Sequence, residues 1–198
     1  MNIRKLFAVA VVVLLLCEAL LIVVSWTLSA TMTEGVHSLL SGEGVRWLLG
    51  SYTDMLQSQW LVWLLLLSMA AGSLWGSGLP TALRTSHHSY RIRVALRLTL
   101  VFLLVYVAVI VMLTAVPHAA LLSVTGSLWP SPFSHALIPI LSLGIVLCSV
   151  LFGLASRNFA SLSDAVHALC QGIAKAAPLF LLYVLLMQLI ASFRFVFS

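Results

Sequence analysis

Five long apolar runs constrain this chain more than any other feature, lying near residues 6–29, 60–79, 95–116, 136–155 and 176–196. About 20 mostly apolar residues suffice to cross a hydrocarbon core of about 30 Å. Within that core only segments that satisfy their own backbone polar groups are stable, and a single run does so as a helix. The runs therefore predict five transmembrane helices. Composition supports this: 62% of the residues are hydrophobic and 8% are charged, with a mean hydropathy of +1.15. Soluble domains are about one-quarter charged, so this chain cannot cover a water-facing surface. Its 198 residues leave no room for a soluble domain beside five spans. The expected fold is all-α and integral to the membrane, with residues 1–198 as a single membrane domain.

The first run has one competing reading, because Arg4 and Lys5 precede it and Leu28-Ser29-Ala30 loosely resembles a cleavage site. Leu6 to Leu28 is 23 residues, whereas the apolar core of a signal peptide has about 7–15. The run reads as a retained span. The net charge of +5 could suggest nucleic acid, but the basic residues sit at the ends of apolar runs and read as topology signals. With the N-terminus in the cytoplasm, the inner segments hold Arg4, Lys5, Arg84, Arg91, Arg93, Arg97, Arg157 and Lys175, and the outer ones only Arg46 and Arg194. No nucleic-acid partner is expected. The C-terminus is expected on the periplasmic or extracellular side.

Two further segments have helical periodicity without span length. Between 41 and 56, Val45, Leu48, Leu49, Tyr52, Met55 and Leu56 recur on one side, with Arg46, Thr53, Asp54 and Gln57 toward the other. Between 161 and 175, Leu162, Val166, Leu169, Cys170 and Ile173 oppose Asp164, His167, Gln171 and Lys175. Ser161 and Asp164 resemble a capping box at its start. Both suit amphipathic helices in the interface plane. The order span, amphipathic helix, span thus occurs twice, within units 6–84 and 132–198. Residues 85–131 link them through one span, and an odd number of linking spans inverts the second unit relative to the first. Inverted repeats are a recurring plan in secondary transporters.

Candidate sites are few. Glu18 lies near the middle of the first span, where an ionisable group costs at least about 2.5–3.5 kcal/mol on insertion scales. It is either a proton or cation site facing a polar cavity, or one end of an interhelical hydrogen bond to Ser25, Tyr106 or Gln188. Gln188 is the polar residue deepest in the last span and suits a bond across helices. Arg84, Arg91, Arg93 and Arg97, with His87 and His88, form a basic patch suited to anionic lipid headgroups or a partner. His118 and His135 flank an outer loop containing Pro117, Pro130 and Pro132 and read as solvated loop residues. His167 and Cys170 stand one turn apart without further ligands, and Cys17, Cys148 and Cys170 are too widely spaced for a zinc site or disulfide framework. Trp26, Trp47, Trp60 and Trp129 fall where an interfacial aromatic belt belongs. No metal or cofactor is expected. No Walker motif, dinucleotide fingerprint, zinc-peptidase helix or nucleophile elbow occurs, so nothing supports an enzyme.

Two stretches carry a family likeness. The first is His37-Ser38-Leu39-Leu40-Ser41-Gly42-Glu43-Gly44-Val45-Arg46-Trp47-Leu48, continuing to Gly76-Ser77-Gly78-Leu79 and Ala82-Leu83-Arg84. The second runs from Pro132-Phe133 through Ile138-Pro139-Ile140, Phe152-Gly153-Leu154 and Ser163-Asp164-Ala165-Val166 to Gln188-Leu189-Ile190-Ala191-Ser192-Phe193. Together they resemble the p-aminobenzoyl-glutamate transporter (AbgT) family. The resemblance implies a bacterial inner-membrane protein built as a dimer of bowl-shaped protomers, each with an inner scaffold and an outer part carrying two re-entrant hairpins. Only scaffold is matched. The Asn-, Ser-, Asp- and Gly-rich hairpins have no counterpart, Trp75 and Gly76 stand where an acidic position is expected, and the chain stops where the second hairpin would follow. The resemblance therefore implies a non-enzymatic scaffold or subunit acting through homo-oligomerisation, dimer favoured, or through other membrane subunits. The alternative is a reduced secondary transporter of a small anionic solute driven by a cation gradient.

Overall fold

The computed structural model describes residues 3–31, 37–85, 89–115 and 132–197. Across them the backbone forms seven α-helices: α1 (Ile3–Ala30), α2 (Gly42–Leu56), α3 (Gln59–Gly76), α4 (Leu79–Arg84), α5 (Tyr90–Ala115), α6 (Pro132–Ser156) and α7 (Leu162–Val196). Five are long and apolar enough to cross a membrane: Lys5–Ala30, Gln59–Gly76, Tyr90–Leu113, Ala136–Ser156 and Leu162–Val196. Each expected span falls on one of them. The described residues thus form an all-helical fold with five helices suited to a membrane.

The first amphipathic segment forms α2 as its pattern predicts. The Ser41 hydroxyl caps it by accepting from Gly44 N at 3.0 Å, and Glu43 in the first turn complements the positive end of the helix dipole. The second segment corrects the expectation. Residues 161–175 do not form a separate helix but run without a break into the last span, giving α7 35 residues. At about 1.5 Å per residue this is about 52 Å, well beyond the thickness of the hydrocarbon core. Ala176 and Ala177 are strong helix formers bridging the two patterns, and Pro178 is accommodated inside the helix. Half of the expected capping box is present: Asp164 Oδ2 accepts from Ser161 N at 3.1 Å and from Ala160 N at 2.8 Å. Helix α4 was not expected. Gly78 at φ 75° turns the chain out of α3, and proline follows in the first turn of α4.

The chain divides into two compact units, one of residues 1–62 with 176–198, the other of 63–175. Each draws on both halves of the sequence. In the first unit, the turn before α2 is held at both ends. Leu39 N donates to the buried Ser25 hydroxyl of α1 at 3.3 Å, and His37 N donates to Val196 O at the end of α7 at 3.0 Å. Trp47 of α2 stacks on Phe195 with ring centroids 4.3 Å apart. Tyr183 OH donates to Leu56 O at 3.0 Å and receives the Ser58 hydroxyl, which ties the end of α2 to α7.

The second unit repeats that plan with other residues. In the turn before α7, Phe159 N donates to Gly153 O of α6 at 2.9 Å, and Asn158 Nδ2 donates to Ser77 O at the end of α3 at 2.7 Å. Leu39 and Phe159 each stand three residues before the following helix, and both are buried. Helices α3 and α7 cross through small residues: Gly72 and Gly172 approach backbone to backbone, and Gly76 lies against Ala168. Close approach of small residues is the characteristic adhesion of membrane helices, because lipid supplies no hydrophobic force between them. Phe152 is fully buried with Ala82 and Ala95, joining α4, α5 and α6.

Candidate functional site

Glu18 acquires its partner from the far end of the sequence. The fully buried Ser192 donates its hydroxyl to Glu18 Oε1 at 2.6 Å, joining α1 to α7. The other carboxyl oxygen, Oε2, is buried and has no hydrogen-bond partner among the described residues. Of the residues proposed from sequence as partners, Ser25 and Tyr106 are engaged elsewhere. Ser25 donates to Ile22 O at 2.8 Å, and Tyr106 donates to Ile140 O at 2.7 Å. Gln188 is half-buried and lies one turn before Ser192, which places both on the α1-facing side of α7. Removing the donor tests the pair: Ser192→Ala leaves a buried carboxyl with neither oxygen paired. The expected loss is about 1–2 kcal/mol, read as an earlier midpoint when denaturing detergent is titrated into the purified protein. An unmoved midpoint would show that the bond contributes no stability.

Sequence reasoning missed a second feature of this unit. Trp47, Asp54, Gln57, Ser58, Arg194 and Phe195 line a cavity of about 500 Å³ with mixed polar and apolar walls. Asp54 and Gln57 had read as the polar side of an amphipathic helix, and Arg194 as a topology charge. The helical spacing of Trp47, Asp54 and Ser58 was the one available signal. The cavity presents a cation, a carboxylate, an amide and a stacked aromatic pair, a set able to hold a small polar or charged solute. Glu18 and Gln188 are not among the residues lining it.

In the second unit, Arg84, Arg91, Arg93 and Arg97 are all exposed, at the end of α4 and over the first two turns of α5. None of them makes an ion pair with a described residue. No acidic residue stands in the first turn of α5, so Arg91 and Arg93 meet the positive end of its dipole, an arrangement that costs stability unless an anion is near. His87, His88, His118, Pro117, Trp129 and Pro130 lie outside the described residues, as does the side chain of His135. His167 Nδ1 lies 3.4 Å from Gln171 Nε2 on the exposed side of α7. Cys17, Cys148 and Cys170 are free thiols. Among the described residues, no three His, Cys, Asp or Glu side chains converge as metal ligands.

No protein-family model and no curated protein sequence matches the chain. Among solved structures it is similar to the YdaH transporter of Alcanivorax borkumensis, whose crystal structure is described as revealing an unusual topology. The TM-score is 0.76 at 15% sequence identity, and the match covers 93% of this chain and 70% of that one. At this identity the likeness establishes a shared fold, and that fold is one found in a membrane transporter.

Proposed function

We propose that this chain is a non-enzymatic scaffold or subunit of the bacterial inner membrane, related to the aminobenzoyl-glutamate transporters and acting through a second copy of itself or a larger membrane partner. The observation that carries this reading is α1. No residue of its most apolar stretch is fully buried within the chain, and Val9, Val12, Leu16, Leu20, Val23 and Trp26 are exposed along its length. A span with so little packing of its own offers a continuous surface to a neighbouring helix. The similar anchoring of the turns before α2 and α7 supports a repeated span–helix plan, and the eight-to-two distribution of basic residues supports a cytoplasmic N-terminus.

A second reading, a reduced transporter of a small anionic solute, is favoured by the cavity beside Arg194 and Trp47. Uptake into proteoliposomes separates the two. With p-aminobenzoyl-glutamate as probe and a proton or sodium gradient imposed, the scaffold reading expects no accumulation above empty vesicles. It also expects a stable dimer or a copurifying membrane subunit after mild extraction. Gradient-dependent uptake abolished by Arg194→Gln would replace the first reading by the second.

A further inference from the structure

A long apolar groove lies within the second unit, along α5 from Leu96 to Ile110 and bordered by α3, α4 and α6. Its volume is about 460 Å³, within the range of a dedicated ligand site. Fourteen residue steps along α5 make it about 21 Å long, longer than half of a hydrocarbon core about 30 Å thick, which is the depth one lipid tail reaches. Two polar side chains within it are turned to internal use, Thr99 donating to Ala95 O at 2.9 Å and Tyr106 to Ile140 O at 2.7 Å, and Ser149 is buried. The walls therefore present carbon, which suits an alkyl chain and repels a polar solute.

The end of this groove is basic. Arg93, Leu96, Arg97 and Leu100 follow the i, i+3, i+4, i+7 spacing of one helix stripe, so the turn bearing the arginines leads directly into the groove-lining leucines. Arg84 ends α4, one residue beyond the groove-lining Leu83. We propose that this groove is a binding site for an anionic phospholipid, with one acyl chain lying along α5 and its phosphate held by Arg93 and Arg97, assisted by Arg84. The guanidinium groups at the interface complement a phosphate, and their aliphatic stems bridge from helix to headgroup depth. The proposal rests on no assumption about transport.

Native mass spectrometry of the purified chain, titrated with dioleoyl phosphatidylglycerol or dioleoyl phosphatidylcholine, tests it. Wild-type protein is expected to bind phosphatidylglycerol more tightly. Each arginine near an anionic group is worth about a fivefold factor, so the Arg93→Gln/Arg97→Gln double variant should lose about thirtyfold for phosphatidylglycerol while its affinity for phosphatidylcholine stays unchanged. That second value also reports that the exposed substitutions leave the fold intact. Leu100→Trp, at a position 59% exposed, fills the groove and should weaken both lipids. Glycerol phosphate, the headgroup without tails, should not compete. Equal wild-type affinities, a double variant that retains phosphatidylglycerol, a Leu100→Trp variant that binds both lipids normally, or competition by glycerol phosphate would each overturn the proposal.

Discussion

Replacing Gly172 with alanine is expected to cost about 3 kcal/mol or more, the upper end of the range for overpacking a fitted interface. A Cβ at this position would overlap the Ser68 carbonyl oxygen and stand 2.7 Å from Gly72 Cα. Both obstacles are backbone, so no rotamer change relieves them, and α3 must move away from α7. The opposite residue is equally constrained: a Cβ on Gly72 would overlap Ala168 O and lie 2.5 Å from Gly172 Cα. Ser68, Gly72 and Gly76 on one helix and Ala168 and Gly172 on the other form small-residue rows at four-residue spacing, and close contact between such rows is what holds helices together in lipid. Gly50→Ala is the matched control, because a Cβ there meets nothing within 4 Å and alanine favours the helix. Denaturing-detergent titration should show an early transition for Gly172→Ala and none for Gly50→Ala. Identical transitions would mean that the helices do not cross at these glycines.

Phe159→Ala is expected to cost about 3–5 kcal/mol, the usual range for truncating a buried phenylalanine. The ring lies over Gly153 and beside Gly76, where a Cβ on either glycine would touch it, and it packs with Ala165, Ala168 and Val150. It therefore fills the space that these small residues leave between α3, α6 and α7. Its backbone N–H also fixes the turn before α7 to Gly153 O. Because that bond survives the substitution, the loss measured is one of packing. Phe159→Leu, which restores most of the volume, should recover more than half of it. If Phe159→Ala unfolds with the wild type, the ring is not part of the core.

The spans were legible because hydrocarbon demands length and apolarity, and both are local properties of a sequence. Helix α2 was legible because its apolar positions recur at helical spacing. The continuity of α7 was not, since the polar residues Asp164, His167, Gln171 and Lys175 changed the character of the segment without changing its backbone preference. Helix α4 was hidden by its apolar residues, which merged with the preceding span, although Gly78 followed by Pro80 is the kind of stop-and-start signal that could have marked it. Glu18 stood out by depth alone. Its partner did not, because 174 positions separate it from Ser192 and serine is commonplace in membrane helices. The cavity of Asp54 and Arg194 was hidden for the same reason. Spacing along the chain says nothing about which distant turns of helix meet.

The interleaving of the two units has a consequence for synthesis. Helices α1 and α2 are made before the groups that secure them, because Tyr183, Ser192 and Val196 lie between 127 and 174 positions further along the chain than their partners. Until α7 is made, the Glu18 carboxyl group has no serine donor and the turn at His37 has no carbonyl to hold it. The nascent chain is therefore expected to depend on translocon, lipid or chaperone until α7 enters, so that α1 and α2 finish assembling only with a much later helix.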